Sequence, residues 1–523
     1  MSTRAIFTGA FILFVGNILS SVLGLTREVL NAAYYGANVD MDSYLFANTI
    51  PSFILTFIGG VFMAGFIPLF IKKRVEHSAE EASYMFSNSI NVILIVVILL
   101  TGLCYWFSGP LASFFASDSA NQEQIQKLLW ILLPSILFFG LSYSQSAVLN
   151  SLNHFTIPAF LTVMNNVVVI VFMIVLNRWI GITSIAIGFV VGTVLQVIVQ
   201  WPMMKRLGVR YKLYLNFKDK DLKKLLVLAI PIIGIGVIDQ CLVLATRFFS
   251  SNLSPGSASA LNYANRIIML PVTLFGTALV SAIYPSVVRA LAEKNIREYN
   301  TMVSTSVKSL LLLVTPVMLI CMAFAPNIIN ALLERGAFDQ AATHKTAISF
   351  MILSLGIMVI PIREFFTRLM FGQENIRTPL IASCIYLSTF IAGCILLVPS
   401  LQYIGIAVAT SVAMVISFMF TLFTYVRKNK NHKVDISVVY LLKIFISSVL
   451  ATLIALSIRE GALRLLNMEG TNVLITVFCL VTGMVFYFII VKLLRIQEVE
   501  FVFNKLSAKF HWKRSSGTVK ANG

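Results

Sequence analysis

Residues 256–288 read GSASALNYANRIIMLPVTLFGTALVSAIYPSVV, thirty-three residues in which Arg266 is the single charged side chain. About twenty apolar residues suffice to cross the hydrocarbon core of a bilayer as a helix. Hydrocarbon offers unpaired backbone groups no water, so such a run is helical rather than an isolated strand. The same pattern recurs at about 5–30, 42–71, 82–108, 126–150, 155–177, 180–202 and 222–248, and again at about 301–325, 341–371, 378–398, 402–426, 438–458 and 471–494. The fold class is therefore an all-α polytopic membrane protein with about 14 transmembrane helices. Composition agrees: 58% of the 523 residues are hydrophobic and 12% are charged, against about 25% charged in soluble domains. A water-soluble enzyme is excluded. The first apolar run follows a single Arg4 and lacks a small-residue cleavage site before Arg27, so it reads as a retained span rather than a signal peptide.

A net charge of +18 would suggest nucleic acid in a soluble protein, but here Lys and Arg sort by side. With the N-terminus inside, inner segments carry Arg4, then Lys72, Lys73 and Arg74, then eight basic residues from Lys205 to Lys224. Arg289, Lys294, Arg297, Arg377, Arg427, Lys428, Lys430 and Lys433 follow, and then a tail from Lys492 to Lys520. The opposite loops hold few, chiefly Lys127, Arg178, Arg335, Arg459 and Arg464. This is the positive-inside pattern, and an even span count places both termini in the cytoplasm of a plasma membrane. The charge is a topology signal, and a solvated or anionic-lipid-facing tail is favoured over a nucleic-acid partner. The six cysteines lie in apolar runs without CxxC spacing and the five histidines form no HExxH-type pair; packing and surface roles are expected, with no metal and no cofactor.

The chain also repeats itself. Asn48 precedes Pro68 by twenty residues and Asn265 precedes Pro285 by the same twenty; at the same offset of 217, Gly59 meets Gly276 and Lys72 meets Arg289. Asn153 to Pro158 against Asn375 to Pro379 extends the match at a similar offset. Six spans per copy give two lobes of equal orientation, a parallel repeat of the kind that transporters use, with substrate bound between the halves. The expected organisation is an N-terminal lobe at 1–204, a basic linker at 205–221, a second lobe at 222–434, an accessory helix pair at 435–494 and a basic tail at 495–523.

Ionisable groups inside spans cost roughly 2.5 to 3.5 kcal/mol each on insertion scales and are functional candidates by default. Those present are Arg27 with Glu28, Asp42, Asp239, Arg247, Arg266, Arg363, Glu364 and Arg368. Bland readings compete: Arg27, Asp42 and Arg247 near one interface and Arg363 and Arg368 near the other can snorkel to water, and Asp239 can pair with Arg266. Arg266, ten residues inside its span, is the hardest to explain blandly. Guanidinium presents forked donors that match phosphate oxygens, stays charged and is weakly hydrated, so an excess of buried arginine points to an anionic, phosphate-bearing substrate. Asn17, Asn48, Asn88, Asn91, Ser144, Gln145, Asn165, Asn166 and Asn262 are candidates to line a hydrated cavity, with helix–helix hydrogen bonding as the alternative.

The segments SSVLGLTREVLNAAYYGANVDMDSY (20–44), GFIPLF (65–70), NYANRIIMLPVTLFGTALVSAIYPSV (262–287), LLERGAFD (332–339) and GQENIRTPL (372–380) resemble the MurJ family of lipid II flippases. That family belongs to the multidrug/oligosaccharidyl-lipid/polysaccharide exporter superfamily. The resemblance implies two six-helix lobes around a cationic cavity, with two extra C-terminal helices forming a groove for the lipid tail. It further implies transport of undecaprenyl-diphosphate-linked peptidoglycan precursor from the inner to the outer leaflet. Carried over residue by residue, Arg27 matches the arginine of the family's LGxxRD segment, Asp42 the acidic residue shortly after it, and Arg266 the arginine of its YADRL segment. With the intramembrane polar residues read above, the expected substrate contacts are Arg27, Arg266, Asp42, Asp239, Arg247, Arg363, Asn48 and Asn265. The family commonly has an arginine where this chain has Ser21 and another in the second span, where FILTFIGG (53–60) is uncharged. Arg247 or Arg363 is the candidate replacement, and an exporter of another undecaprenyl-linked glycan (teichuronic, capsular or exopolysaccharide) is the alternative. The implied partners are the lipid-linked diphosphate glycan, the bilayer and, on the protein side, cell-wall synthesis machinery.

Two other classes fit poorly. A glycan polymerase needs a carboxylate acid or base in reach of its sugar, whereas the outer loops offer Asp118, Glu123, Glu334 and Asp339 without a pairing motif. A cation-coupled drug antiporter needs an acidic cavity, and here intramembrane arginines outnumber acids. The chain is expected to be a transporter and not an enzyme.

Overall fold

The computed structural model describes residues 3–116, 118–428, 435–465 and 473–496; the basic tail from residue 497 onward lies outside them. The first half runs α1 (Thr3–Tyr35), α2 (Val39–Gly60), a π-helical turn (Val61–Phe66), α3 (Ile67–Glu76), α4 (Ala79–Trp106), α5 (Ser108–Ser113), α6 (Ser119–Leu132), α7 (Ser135–Ser151), α8 (Thr156–Ile180) and α9 (Thr183–Arg206). The second runs α10 (Lys220–Ser251), α11 (Ser257–Pro271), a π-helical turn (Val272–Thr277), α12 (Ala278–Ala292), α13 (Ile296–Ala323), α14 (Ala325–Leu333), α15 (Gln340–Leu353), α16 (Gly356–Gly372), α17 (Arg377–Leu401) and α18 (Tyr403–Lys428). The pair α19 (Val438–Leu465) and α20 (Val473–Leu493) follows. Every expected span is occupied by a helix or by two helices joined at a break, and eleven of these pass a strict test of length and apolarity for crossing a bilayer.

The repeat holds helix for helix. α4 and α13 are each 28 residues long and begin 217 residues apart, and α7 and α16 are each 17 residues long and begin 221 apart. Both copies also widen into a π turn midway along their second span. Such turns mark places where a helix is strained for function or fit, and here fit is visible: the second turn carries Gly276, where a side chain would run into the ring of Pro361.

By contacts the described residues divide into two compact units whose borders do not follow the repeat: those within 1–266, 333–346 and 383–413 in one, and those within 267–332, 347–382 and 414–496 in the other. In the first unit, helices meet through small residues and a polar ladder. A Cβ at Gly16 of α1 would lie 2.8 Å from the Ala159 carbonyl of α8, and one at Gly65 would lie 2.8 Å from the Leu225 carbonyl of α10. Between α7 and α9, Ser142 and Ser146 face Gln196 and Gln200, each pair four residues apart and so on one helix face. Gln200 Nε2 donates to the carbonyl and hydroxyl of Ser142 at 3.2 and 3.0 Å, and its Oε1 accepts from Ser146 Oγ at 2.8 Å. Without a hydrophobic drive between helices in lipid, such packing and interhelical hydrogen bonds supply the association. At Pro134, which has no N–H to continue the ladder, Ser135 Oγ donates to the Leu132 carbonyl at 2.6 Å.

In the second unit, α19 and α20 lie on α13. Tyr440 and Tyr487 donate from their hydroxyls to the Lys308 and Leu312 carbonyls at 2.9 and 2.8 Å, and Gly483 brings α20 within van der Waals reach of Ala455 and Ile320.

Candidate functional site

The site is assembled where α1 ends, from helices of both repeats within the first unit. The sequence Arg27-Glu28-Val-Leu-Asn31 puts Glu28 and Asn31 three residues apart, one above the other on a helix face. Glu28 is 5% exposed. Its Oε1 accepts from Arg27 Nη2 at 2.9 Å and its Oε2 from Asn31 Nδ2 at 3.3 Å. The other arm of Arg27 donates from Nη1 to Asn166 Oδ1 on α8 at 3.1 Å, while Asn166 Nδ2 donates back to the Ser20 carbonyl at 3.4 Å. Arg27 is thereby fixed at both ends of its fork. Arg266 of α11 lies within electrostatic reach of the same carboxylate and of Tyr44 on α2. Unlike Arg27 it is exposed, although ten residues inside its helix, and no described residue hydrogen-bonds or ion-pairs with it. Arg27 thus bonds the acid directly, whereas Arg266, like Arg247, meets it only through space.

A second layer closes the end of α1 over this pair. Asp42 is 6% exposed and takes three donors at the start of α11: Gly256 N–H at 2.7 Å, Ser259 N–H at 2.7 Å and Ser259 Oγ at 2.5 Å. The first N–H groups of a helix have no partner within it and carry the positive end of its dipole, so a carboxylate there satisfies both. Beside it Arg247 donates to Asn262 Oδ1 at 3.0 Å and to the Ala258 carbonyl at 3.4 Å. Tyr263 OH donates to the Gly36 carbonyl at 3.0 Å, and Ala337 N–H donates to the Ala33 carbonyl at 2.9 Å. Gly256 and Gly336 have positive φ and sit so close to the Ala37 and Ala33 carbonyls that neither tolerates a Cβ.

Of the residues singled out in the sequence, Arg27 and Arg266 come together around Glu28, and Asp42 and Arg247 together around the start of α11. Asp42 does not reach solvent, so the snorkelling reading fails for it. Asn48 lies on α2 with a buried Oδ1 that no described group satisfies, and Asn265 is exposed beside Arg266. Asp239 is exposed on α10, two turns before Arg247. Arg363 lies in the second unit, donating to Ser417 Oγ at 3.5 Å. Asn88 and Asn91 bind the backbone of the 207–219 linker.

The family model for lipid II flippase MurJ matches residues 31–494. The chain belongs to that family. The "Probable lipid II flippase MurJ" of Rickettsia prowazekii (strain Madrid E) is 26% identical over 474 residues, covering 89% of this chain and 92% of that one. That of Rhizobium meliloti (strain 1021) is 28% identical over 408 residues, covering 75% and 76%. Among solved structures, "Lipid II flippase MurJ, inward closed conformation" superposes with a TM-score of 0.80 at 26% identity, covering 92% of this chain and 98% of that one. A "multidrug resistance MATE family transporter of the MOP superfamily" in its inward-facing conformation superposes at 0.67 with 14% identity, covering 79% and 96%, a likeness of fold alone. The chain is a multi-pass membrane transporter rather than an enzyme.

Set among MurJ proteins, the site holds groups that sequence reasoning passed over. Glu28 was visible only as a neighbour of Arg27; that it also faces Arg266 depends on α11 arriving beside α1. Tyr44 and Ser259 carried no signal beyond proximity to Asp42 and Arg266 in the chain.

Proposed function

We propose that this MurJ family member moves undecaprenyl-diphosphate-linked peptidoglycan precursor, lipid II, from the inner to the outer leaflet of a bacterial plasma membrane by alternating access. The observation that carries the reading is the pair Arg27 and Arg266 around the single carboxylate of Glu28. Arg27 is held rigid by Glu28 and Asn166, and Arg266 presents a guanidinium whose donors are not engaged by the described residues. Glu28 offsets one of the two positive charges and leaves one for an incoming diphosphate, whose oxygens match a guanidinium fork. Asn265 beside Arg266, and Asn48 on α2, add neutral donors and acceptors for the head group. Asp239 and Arg363 serve as further polar lining, and Arg247 steadies the layer above rather than touching substrate.

In this reading Asp42 is a latch. It closes the outer end by holding the start of α11, and opening outward requires its three hydrogen bonds to part. The lobes at 1–204 and 222–434 exchange inward and outward openings around the arginine pair, and the groove of α19 and α20 takes the polyprenyl tail. Both termini face the cytoplasm in this reading, which the distribution of Lys and Arg supports. The family model and relatives favour lipid II over another undecaprenyl-linked glycan. The test is rescue of a strain depleted of its lipid II flippase: Arg27→Ala and Arg266→Ala, expressed at the native level, each fail to rescue and accumulate inner-leaflet lipid II. Full rescue by both variants would refute the mechanism.

A further inference from the structure

The linker between α9 and α10 is an ordered strap rather than a loose connection. After Gly208 it runs extended along the first turns of α4, whose Ser83, Ser87 and Asn91 lie four residues apart on one face. Ser83 Oγ accepts from Arg210 N–H at 3.4 Å, Ser87 Oγ from Lys212 N–H at 3.0 Å, and Asn91 Nδ2 donates to the Tyr214 carbonyl at 2.9 Å. Asn88 binds Asn216 on both sides, accepting from its N–H at 2.7 Å and donating to its carbonyl at 3.0 Å. A helix face thus reads every second residue of an extended chain.

Side chains in an extended segment alternate between two faces, and in the middle of the strap Lys212 and Tyr214 turn inward. Lys212 Nζ reaches Tyr84 OH at 2.7 Å and Glu80 at 3.0 Å, and Tyr214 meets the Tyr84 ring edge-on at 5.7 Å. The opposite face holds Leu213, Leu215 and Phe217, with Leu213 91% and Phe217 62% exposed, while Tyr211 OH turns back to donate to Asn91 Oδ1 at 2.6 Å. Polar inward and apolar outward is the reverse of a segment that faces water. At the same level, the exposed Trp201 packs with Tyr211 at 6.5 Å and carries Lys205 over its ring at 5.7 Å, the aromatic chemistry of a membrane–water interface.

Charge completes the pattern. Arg206, Arg210, Lys218, Lys220, Lys223 and Lys224 are exposed and form no ion pair among the described residues. The two acids of the segment are occupied: Asp219 accepts from Asn88 and from the Asp221 N–H, and Asp221 pairs with Lys73 at 3.0 Å, holding that ammonium above its ordinary pKa. An apolar row beside an unopposed cationic rim is what a segment lying in an anionic lipid interface presents. The positive-inside tendency explains the charges; it does not explain a row of exposed Leu and Phe held in register by four side chains of α4.

We propose that the 210–218 strap is a built binding surface for anionic phospholipid, with Leu213, Leu215 and Phe217 among the acyl chains and the flanking Lys and Arg on the head-group phosphates. The test uses the full chain purified in neutral detergent, its thermal midpoint followed as phosphatidylglycerol or phosphatidylcholine is added. Phosphatidylglycerol is expected to raise the midpoint further and at lower concentration. Each neutralised base is worth about fivefold in anionic-lipid affinity, so Arg210→Gln with Lys218→Gln raises the half-saturating phosphatidylglycerol concentration at least tenfold and leaves the phosphatidylcholine response unchanged. Leu213→Gln with Phe217→Gln diminishes the response to both lipids. All four positions are exposed, so each pair of substitutions keeps the lipid-free midpoint and the two pairs test the surface independently. Equal responses of the native protein to the two lipids would overturn the proposal, as would an unchanged phosphatidylglycerol preference in the charge variant. A concentration-dependent dimer abolished by Leu213→Gln with Phe217→Gln would also overturn it, by assigning the face to a second copy of the chain.

Discussion

Asp42→Asn isolates the latch with almost no change in volume. The carboxylate accepts from Gly256 N–H at one oxygen and from Ser259 N–H and Oγ at the other. An amide keeps one acceptor and turns the other into a donor. In its cheaper orientation it keeps both Ser259 contacts and loses the Gly256 bond. A hydrogen bond to a charged group is worth about 1.5–3 kcal/mol, and removing a negative charge from a helix N-terminus costs about 0.3–1 kcal/mol more. The closed end is therefore weakened by about 2 kcal/mol or more. At 1.4 kcal/mol per factor of ten, the population open at that end rises about thirtyfold or more. Ala37, whose carbonyl packs against Gly256, is the reporter position. In a background lacking the six native cysteines, Ala37→Cys is labelled with a membrane-impermeant maleimide. When opening and reclosing outpace labelling, the rate follows the open population. A labelling rate within threefold of the parent, with the melting midpoint unchanged, would refute the latch.

Four more outcomes follow from the same geometry. Gly256→Ala places a Cβ against the Ala37 carbonyl at positive φ and should raise labelling at position 37 at least tenfold, whereas Gly181→Ala, also at positive φ but in open space, should leave it unchanged. Arg266→Lys keeps the charge but loses the fork, so binding of a soluble diphosphate-sugar analogue, read by calorimetry, should weaken about tenfold or more. Gln200→Leu removes four hydrogen bonds between and within α7 and α9; at about 0.6 kcal/mol each in membrane proteins the loss is about 2 kcal/mol, visible as a lower melting midpoint in detergent. Tyr487→Phe removes the bond from α20 to the Leu312 carbonyl and should cost about 1 kcal/mol or more by the same measurement.

Much of the fold was legible along the chain because its signals are local. Apolar runs of span length and the sorting of Lys and Arg need no knowledge of neighbours, and a repeat is seen by comparing the chain with itself. Arg266 stood out for the same reason: a charge inside an apolar run is costly wherever that run packs. The π turns were not legible, since what shows at the second is Gly276 against Pro361, a contact between residues 85 apart in the chain. Asn88 and Asn91 looked like cavity residues because an asparagine in a span reads the same whether it meets water, another helix or, as here, the backbone of the linker.

From its residues alone this chain is a bundle of about fourteen membrane helices, duplicated, basic on one side and carrying a few arginines within its apolar runs. Hydropathy, charge and internal similarity are properties of short windows, and insertion into lipid acts on those windows directly. Which arginine is tied and which is exposed is a different kind of fact. Arg27 is clamped because α8 brings Asn166 to it, and Asp42 caps α11 across 217 residues of chain. Neither pairing leaves a periodic trace, because each arises when helices distant in sequence pack side by side and their polar groups, cut off from water, take the partners that packing supplies.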